Sequence, residues 1–492
     1  MRVHFDTRSA DDYHTFLNIR RCPVYRFRGR MAEVPDEYAE RLGLDVPQQK
    51  NAKPDLHSDL YDYQRDIAAL AIRKRKFAIF ADCGLGKTLM LLEFARHVVK
   101  VTGKKCLIVA PLMVVRQTCS EALEWFKGDI DIGAVAAADL DNWLTSDDSL
   151  NSRIGVTNYE AIRDVLPSYD LGGLILDESS YLKSHYGAWG LRLIEMGRGV
   201  PFKLCCTGTP APNDRIEFAN HAVFLDRAKT SNEFLASYFI NRGQTPNRWE
   251  LKPHALRPFY RSLASWSIFL TNPATYGWKD NVGVTPPIHI HAVDVPLTDE
   301  QRHAAQQVTG SLVTANVGGI GMRGKLSQIA KGKNGIPTNK PAAIRDLVES
   351  WPDESTIIWC HYNDEQEQLA KLFPDAVNIS GSTKQDARER GIDEFKSGQK
   401  RVLISKPKIL GFGLNLQICT RQIFSGLKDS YEEFYQAVKR SNRIGSTKPL
   451  NVHIPVTELE IPFLDNVLGK AHRVESDTFE QEQLFKDIGY EV

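Results

Sequence analysis

The residues best suited to chemistry are a lysine and a threonine that follow two closely spaced glycines. Gly84, Gly86, Lys87 and Thr88 stand between a short apolar run and a stretch whose apolar residues recur at helical spacing. Glycines let backbone N–H groups converge on phosphate oxygens, and the start of a helix adds partial positive charge. Lysine supplies a compact cation for the outer phosphates, and a threonine hydroxyl is a ligand for magnesium. The pattern predicts a phosphate-binding loop for a nucleoside triphosphate, with a Gly-rich turn and a solvated lysine as the alternative.

A pair of acidic residues provides the second half of a nucleotide site. Asp177 and Glu178 directly follow the apolar run 173–176. Beside a phosphate loop, we expect Asp177 to hold magnesium through water, and Glu178 to orient or deprotonate the attacking water. ATP and magnesium are therefore the predicted cofactors. The alternative reading is a solvated Asp-Glu turn.

Two threonines follow a further apolar run in the same way. Thr207 and Thr209 come directly after the run 202–206. Their hydroxyls are placed to bond the acidic loop and to relay the nucleotide state, so we assign them a coupling role. An ordinary turn would contain similar residues, because glycine and proline mark loops in every kind of protein.

These motifs lie at the ends of short apolar runs that alternate with helical segments. Such alternation predicts a parallel α/β sheet. The predicted strands are Phe77–Ala81, Cys106–Ala110, Ile154–Thr157, Gly173–Leu176 and Phe202–Cys206. Ligands of parallel sheets bind beyond the carboxyl ends of the strands. All three motifs fall at such ends: the phosphate loop, the acid pair and the two threonines. This shared position supports the prediction that they form one site.

Length and composition restrict the class of protein. The chain has 492 residues, of which 42% are hydrophobic and 25% charged, as is usual for a soluble globular protein of several domains. The net charge of +1 gives no bulk electrostatic argument for nucleic acid. The cysteines form no CxxC pair, which favours reduced thiols in a cytosolic protein, or a nuclear one in a eukaryote. The polar N-terminus and the lack of a long apolar run argue against a signal peptide and a membrane partner.

Changes in pattern along the chain predict its domain organisation. A polar, proline-containing stretch separates a short prefix from the α/β region, and the pattern loosens after that region before a second one begins. The predicted parts are residues 1–55, a small accessory element; 56–225, an ATP-binding lobe; 226–335, a mostly helical insertion or linker; 336–470, a second lobe; and 471–492, a helical tail.

The order of the motifs resembles that of superfamily two helicases. It is most similar to the Swi/Snf-like translocase branch, which includes small bacteriophage-type members. In the first half the matching strings are Asp62–Gln64, Ala81–Thr88, Ala110–Leu112, Thr157–Glu160, Asp177–Lys183 and Thr207–Pro210. In the second half they are Thr356–Cys360, Gly411–Leu416 and Gln436–Gly445. The resemblance covers most of the chain and implies two RecA-like α/β lobes of the P-loop type, with ATP bound between them.

The last of these strings carries two arginines and a glutamine at helical spacing. Gln436, Arg440 and Arg443 stand at i, i+4 and i+7, so a helix would place them on one face. Two guanidinium groups from the second lobe would stabilise the charge on a transferring phosphoryl group, as arginine fingers do. Hydrolysis would then depend on closure of the lobes. A basic solvated face is the alternative.

The resemblance implies further roles that the residues alone do not establish. Gln64 is expected to read the adenine edge, and Gly413 to contribute to the nucleotide site. Other loops are expected to grip DNA phosphates without reading bases. The residues implied in that contact are Pro111, Thr157, Gly411 and Asn415.

The function implied by the resemblance is ATP-dependent translocation on DNA, with duplex favoured over single strands. No zinc finger, helix-turn-helix or aromatic stacking strand is evident in the sequence, so binding is expected to be independent of base sequence. Three alternatives stay open: a strand-separating helicase, the motor subunit of a nuclease or repair complex, and a DNA-binding scaffold with a decayed ATPase. A nuclease or a replication or recombination protein is a candidate partner. The acidic string reads Asp-Glu-Ser-Ser where many relatives have Asp-Glu-Ala-His, which leaves the details of coupling open.

Overall fold

The structure, a computed structural model, divides the chain into two compact units. The described residues are 2–22, 25–34, 42–44, 54–146, 152–164, 169–183, 188–243, 249–279, 285–309, 320–410, 415–443 and 446–487. The first unit contains residues 1–281 and 477–492, and the second contains residues 282–476. Each unit is built around its own parallel sheet, which confirms the predicted α/β class with two lobes.

The first unit begins with a small antiparallel sheet and one helix. The elements are β1 (Arg2–His4), α1 (Ala10–Arg20), β2 (Arg26–Arg28) and β3 (Met31–Glu33), with strand order β1-β3-β2. The hydroxyl of Ser9 accepts the N–H of Asp12 at 3.1 Å and so caps the start of α1. Ile19 of α1 packs with Ala32 of β3 in a separate small core. The described part of the predicted accessory element is therefore a folded β-α-β-β element.

A seven-stranded parallel sheet forms the centre of the first unit. The strands of this sheet are β4 (Lys76–Ala81), β5 (Cys106–Ala110), β6 (Ile132–Ala134), β7 (Ile154–Asn158), β8 (Gly173–Asp177), β9 (Phe202–Thr207) and β12 (Ser267–Leu270). A separate two-stranded hairpin, formed by β10 (Phe239–Asn241) and β11 (Trp249–Leu251), lies between β9 and β12 in the sequence. The order across the sheet is β12-β4-β9-β8-β5-β7-β6. The five predicted strands are all present. They are buried along their length, as parallel strands are when helices cover both faces.

Helices connect these strands. They are α2 (Asp62–Lys74), α3 (Lys87–Thr102), α4 (Leu112–Phe126), α5 (Leu140–Thr145), α6 (Ala188–Met196), α7 (Phe218–Phe224), α8 (Ser231–Tyr238) and α9 (Leu256–Ala264). α3 follows β4 after only five residues and is the helix that the phosphate loop requires. Leu91, Phe94 and Val98 on one face of α3 are completely buried, so the start of the helix is held firmly against the sheet.

The predicted boundary at residue 225 differs from the structure. β12 lies in the first sheet and pairs in parallel with β4, from Ser267 opposite Ala78 to Leu270 opposite Ala81. Residues 226–281 therefore belong to the first unit and do not form part of a separate helical insertion. The sequence analysis missed β12 because a four-residue apolar run has no periodicity that separates a strand from a helix.

A six-stranded parallel sheet forms the centre of the second unit. Its strands are β13 (Ile288–Asp294), β14 (Thr356–Trp359), β15 (Val377–Asn378), β16 (Val402–Ser405), β17 (Arg421–Phe424) and β18 (Leu450–Val456). The order across the sheet is β13-β18-β17-β14-β16-β15. The second unit thus begins well before residue 336, because β13 pairs with β18 along its whole length.

The helices of the second unit complete the description. They are α10 (Asp299–Thr309), α11 (Ile320–Ala330), α12 (Lys340–Ser350), α13 (Asn363–Leu372), α14 (Gln385–Lys396), α15 (Pro407–Leu410), α16 (Tyr431–Val438) and α17 (Ile461–Asp487). The predicted tail at 471–492 is, as far as it is described, the continuation of α17. Its later part belongs to the first unit, where Asp477 accepts bonds from Arg215 at 2.6 Å and from Tyr260 at 2.7 Å. None of the helices in the described ranges is long and apolar enough to cross a membrane.

Candidate nucleotide-binding and hydrolysis site

The loop between β4 and α3 is built on two left-handed glycines. Gly84 has a φ of 89° and Gly86 a φ of 70°, values that residues with a side chain rarely adopt. A Cβ atom at Gly86 would also lie 2.2 Å from Nε2 of Gln64. α3 begins at Lys87, directly after the second glycine, so the N-terminal end of the helix adjoins the loop. This is the geometry in which a helix start favours a bound anion.

Lys87 holds its ammonium group inside this loop. Nζ donates to the backbone carbonyls of Ala81 at 2.7 Å and Asp82 at 3.1 Å. No carboxylate pairs with Lys87 among the described residues. Hydrogen bonds between two charged groups are stronger than bonds to a neutral carbonyl, so a phosphate would be a better partner for this ammonium. Thr88 follows in the first turn of α3 and is partly exposed.

Gln64 lies against the loop and helps to shape it. Its side chain is buried, and Oε1 accepts the N–H of Tyr61 at 3.1 Å, which caps the start of α2. Its Nε2 donates to the carbonyl of Leu85 at 3.4 Å, and the Tyr63 hydroxyl donates to the same carbonyl at 3.1 Å. The structure thus places Gln64 beside Gly86. Its contact with the adenine edge stays a prediction.

Asp177 is the last residue of β8 and is almost fully buried. Its Oδ1 accepts the N–H of Glu178 at 3.1 Å. No ammonium or guanidinium group forms an ion pair with it in the part of the chain that the structure describes. Burial raises the pKa of Asp177 to about 7, and the negative charge of Glu178 adds to this effect, whereas Lys87 opposes it. A carboxylate in this environment would gain strongly from a bound cation.

Glu178 stands in a strained turn that both threonines approach. Its φ of 55° and ψ of 54° place a non-glycine residue in the left-handed region. Its Oε2 accepts the hydroxyl of Thr207 at 3.0 Å, and that hydroxyl oxygen accepts the N–H of Thr209 at 3.1 Å. The Thr209 hydroxyl is buried and has no hydrogen-bond partner in the described ranges. The structure therefore brings the end of β9 to the acid pair, and the coupling role of the threonines stays a prediction.

These residues fit a magnesium-bound nucleoside triphosphate. The Lys87 ammonium is bonded to carbonyls alone, and the buried carboxylate of Asp177 has no cationic partner among the residues described. Carboxylate and hydroxyl oxygens are the ligands that magnesium prefers, and Asp177 and Thr88 supply both kinds. The described residues contain no separate cluster of three or more His, Cys, Asp or Glu side chains that could hold a metal ion.

A histidine that the sequence analysis missed supports the acid turn. His221 of α7 is fully buried, and its Nε2 lies 3.1 Å from Oγ of Ser179, the residue after Glu178. Burial lowers the pKa of His221 to about 4, so the imidazole is neutral at pH 7. No local pattern distinguishes His221 from the other residues of α7, all of which are buried. Only the packing of α7 against the turn identifies it.

The arginines of the last motif lie beyond a helix and not within one. α16 ends at Val438, so the predicted helical face shared by Gln436, Arg440 and Arg443 does not form. Beyond Val438 the backbone continues in turns, and the carbonyl of Arg440 accepts the N–H of Leu416 at 2.9 Å. No local sequence pattern predicts this hydrogen bond, because its two residues are far apart along the chain.

The three side chains of this motif differ in exposure. Gln436 and Arg440 are buried, and Arg443 is partly exposed. The Nε2 of Gln436 has no hydrogen-bond partner among the described residues. The Arg443 N–H donates to the hydroxyl of Ser446 at 3.1 Å, which fixes the backbone at this point. Their catalytic roles stay predictions.

Thr157 is placed differently from its expected DNA-contact role. It is fully buried within β7, and its hydroxyl donates to the carbonyl of Val135 at 2.9 Å. β7 extends one residue beyond the predicted strand, to Asn158, and the contact of Thr157 with DNA stays a prediction. The end of β7 instead presents Asn158, which is half-buried, and Glu160, which is exposed.

The other expected DNA contacts fall in three different settings. Pro111 is buried and precedes the first residue of α4. Asn415 is exposed, and its Nδ2 donates to Oε1 of Gln417 at 3.2 Å. Gly411, like the expected nucleotide contact Gly413, lies outside the described residues. All of these assignments stay predictions.

Comparison with known families shows which family the chain belongs to. A family described as the SNF2-related domain matches residues 63–317, more than half of the chain. The chain belongs to the SNF2-related family. A second family, described as the helicase conserved C-terminal domain, matches residues 339–445 of this SNF2-related protein. The two matched ranges include the phosphate loop, the acid pair and the arginine motif.

This SNF2-related protein spans nearly the whole length of one relative and less than half of another. Putative protein p41 of Acyrthosiphon pisum secondary endosymbiont phage 1 is 26% identical over 80% of this chain and 91% of the phage protein. The DNA annealing helicase and endonuclease ZRANB3 of Mus musculus is 22% identical over 86% of this chain and 41% of the mouse protein. Among solved structures, the SWI2/SNF2 ATPase core of Sulfolobus solfataricus in complex with dsDNA is 18% identical, with a TM-score of 0.39, over 87% of this chain and 96% of that chain.

The family assignment fixes the class of enzyme. This SNF2-related protein is a DNA-dependent ATP hydrolase of helicase superfamily two, built on two RecA-like α/β units. The resemblance to the Swi/Snf-like branch and the predicted enzyme class are thereby confirmed.

Proposed function

We propose that this protein converts ATP hydrolysis into movement along duplex DNA without reading the base sequence. One observation carries the proposal: in a chain of the SNF2-related family, Lys87 and the pair Asp177 and Glu178 converge at the carboxyl edge of one parallel sheet. Support for DNA comes from a relative named as a DNA annealing helicase and endonuclease, of which this chain spans 41%.

The residues of the first unit divide the chemistry between them. Lys87 would bind the outer phosphates, and the oxygens of Thr88 and Asp177 would hold magnesium, which would stabilise negative charge on the phosphates. Glu178 accepts a proton from the attacking water or orients it. Its hydrogen bond from Thr207, at 3.0 Å, sets the direction of the carboxylate and ties it to the end of β9.

Residues of the second unit complete the catalytic set. Arg440 and Arg443 stabilise the charge that spreads over the phosphoryl group in the transition state, and Gln436 assists them. Because α16 ends before these arginines, their positions depend on the turn that follows the helix. Hydrolysis therefore requires both units, which is how a chemical step becomes linked to movement.

Contacts with DNA are expected to use phosphates and not base edges. The net charge of +1 excludes a protein-wide basic field, so the contacts must be local. The candidate surfaces are the turn after Pro111, the end of β7 around Asn158 and the exposed Asn415. Backbone N–H groups and amides at such places bind phosphates of any base sequence.

Steady-state ATP hydrolysis tests the proposal. Turnover is measured without nucleic acid and then with duplex DNA, single-stranded DNA and RNA, at one low and stated salt concentration, because phosphate contacts weaken steeply with salt. Strong stimulation by duplex DNA is expected, and displacement of a third strand from the duplex would then demonstrate movement. Stimulation by single strands alone would favour strand separation. Stimulation by none would reject the substrate proposed and point to a missing nuclease, replication or recombination partner, or to a scaffold.

Arg443→Ala tests the assignment of the second unit. This variant should bind ATP normally and lose about a thousandfold in turnover, as removal of an arginine finger does. Arg401→Ala is the matched control, because Arg401 is an exposed arginine of the same unit that contacts Asp353 at 2.9 Å, and its loss should leave turnover unchanged. Normal turnover in Arg443→Ala would remove Arg443 from the catalytic set.

A further inference from the structure

Tyr159 connects the end of β7 directly to the acid turn. Its ring is fully buried, and its hydroxyl donates to the backbone carbonyl of Asp177 at 2.7 Å. The same hydroxyl lies 3.3 Å from the carbonyl of Glu178. One side chain therefore holds the backbone of both acidic residues. Neither the motif assignment nor the catalytic roles proposed above account for this contact.

The backbone that Tyr159 holds is strained. Glu178 has a φ of 55°, and a non-glycine residue persists in this region only where its surroundings hold it there. Tyr181, in the same turn, stacks on the Tyr159 ring with centroids 3.9 Å apart and planes 5° from parallel. The Tyr159 ring thus packs against Tyr181 of the turn, while the Tyr159 hydroxyl contacts the backbone carbonyls of Asp177 and Glu178 at the start of the turn. Movement of Tyr159 would change the conformation of Glu178.

The other end of this connection reaches the surface. Tyr159 directly follows β7, and its carbonyl accepts the N–H of Ile162 at 3.2 Å. The side chain of Asn158 accepts the N–H of Ala161 at 2.9 Å, so the segment forms one tight turn. Glu160 in this turn is exposed. A ligand at this turn would act on Tyr159 without an intervening flexible segment.

We propose that Tyr159 is a positioning residue that couples DNA contact at the end of β7 to the catalytic carboxylate of Glu178. The connection runs from the turn at 158–160, through the Tyr159 hydroxyl, to the strained backbone of Glu178 and from its carboxylate to Thr207. In this coupling, DNA at the end of β7 would move Tyr159 and thereby shift the left-handed turn at Glu178 towards a second conformation. This inference rests on the proposed function, because it assigns DNA to the end of β7.

Tyr159→Phe tests the coupling with the smallest change, because the stacked ring stays and only the hydroxyl is lost. We expect the KM for ATP and the affinity for duplex DNA to stay the same, and the DNA-stimulated kcat to fall about tenfold, the effect of one lost buried hydrogen bond. A structural defect would instead lower binding and turnover together. Tyr276→Phe is the matched control, because Tyr276 donates to the carbonyl of Phe269 at 2.5 Å in the same unit, away from the acid turn. It should keep the full stimulation.

The outcomes separate this inference from the proposed function. If duplex DNA stimulates the wild-type protein and Tyr159→Phe equally, the coupling role is wrong and the proposed function stands. If no nucleic acid stimulates the wild-type protein, both fall. Hydrogen exchange in the wild-type chain gives a test that needs no variant: duplex DNA without nucleotide should change the exchange of amides in residues 178–182. Unchanged exchange there, with DNA bound, would also overturn the coupling.

Discussion

Two buried carboxylates, one in each unit, have pKa values shifted in opposite directions. Burial raises the pKa of Asp177 in the first unit to about 7. Burial also opposes the charge of Glu460 in the second unit, but Lys331 and Lys340 outweigh it and lower the pKa of Glu460 to about 2. The two groups are similarly hidden from water, so the difference comes from the partners that the fold supplies.

Glu460 is surrounded by donors on both of its oxygens. Lys331 donates to Oε1 at 2.8 Å, and Lys340 lies 2.5 Å from Oε2. The N–H and hydroxyl of Thr457 each lie 3.2 Å from Oε2. Both lysines are completely buried and join segments far apart in the chain, beside α11 and at the start of α12. This cluster fixes the fold and leaves no position for a ligand.

Asp177 has no such partners in the described structure, and its neighbour Glu178 is held in a strained conformation. A fold that leaves a buried carboxylate without a cation loses stability there, and such losses are typical of functional sites. The contrast agrees with a stabilising role for the carboxylate of the second unit and with the roles proposed above for Asp177 and Glu178, binding of a cation and activation of water.

Glu178→Gln should produce the largest effect on function. Loss of the general base is expected to lower turnover roughly a thousandfold while ATP still binds, because only the water-activating step is removed. The measurement is steady-state hydrolysis beside equilibrium binding of ATP. Glu250→Gln is a suitable control, since Glu250 is an exposed carboxylate of the same unit that pairs with Arg242. Wild-type turnover in Glu178→Gln would reject the catalytic assignment.

Glu460→Gln should produce the largest effect on stability. It leaves two buried ammonium groups without their anion, which costs about 3–5 kcal/mol in the free energy of unfolding. Urea unfolding followed by tryptophan fluorescence measures this change. An unfolding free energy within the error of the wild type would mean that the buried cluster is not what stabilises the second unit.

The pH dependence of unfolding should reveal the same cluster. The pKa of Glu460 is lowered from 4.5 to about 2 on folding, so its contribution is present above pH 4.5 and is lost as the pH falls towards 2. At about 1.4 kcal/mol for each pKa unit, the loss is roughly 3 kcal/mol. The stability difference between the wild type and Glu460→Gln should shrink over this pH range. A constant difference would contradict the paired state of Glu460.

Asp177→Asn should have the smallest effect on stability, and in the opposite direction. Removing a buried charge that has no paired cation is expected to raise the free energy of unfolding by about 1–2 kcal/mol at pH 8, while hydrolysis is lost. Urea unfolding in the absence of nucleotide and magnesium measures the gain. A destabilised variant would show that Asp177 supports the fold as Glu460 does, and the contrast between the two carboxylates would disappear.

The positions of Asp177, Glu178 and Lys87 in the first unit could be predicted from the sequence. Asp177 and Glu178 end a short apolar strand, and Lys87 follows a glycine turn, so local patterns placed them at the edge of one parallel sheet. Thr207 was predicted to approach the acid pair for the same reason, and its hydroxyl lies 3.0 Å from the Glu178 carboxylate. Such predictions succeed because strand ends bring residues together whatever the rest of the fold does.

The remaining features depend on contacts between distant parts of the chain. Lys331, Lys340 and Glu460 are separated by long stretches of sequence, and charged residues usually predict exposure, not a buried cluster. Beyond the end of α16, the carbonyl of Arg440 accepts a backbone bond from Leu416, which no helix propensity reveals. β12 was missed because its short apolar run becomes a strand only through pairing with β4.

The most direct test of the account is the dependence of ATP binding on magnesium, measured by titration calorimetry. The protein is used as the Glu178→Gln variant, which prevents turnover, and is compared with the same variant carrying Asp177→Asn. Magnesium should tighten ATP binding relative to EDTA in the first protein and have little effect in the second, because Asp177 is the carboxylate left open for the cation. An equal effect of magnesium in both proteins would contradict the claim that the fold leaves Asp177 without a partner in order to bind it.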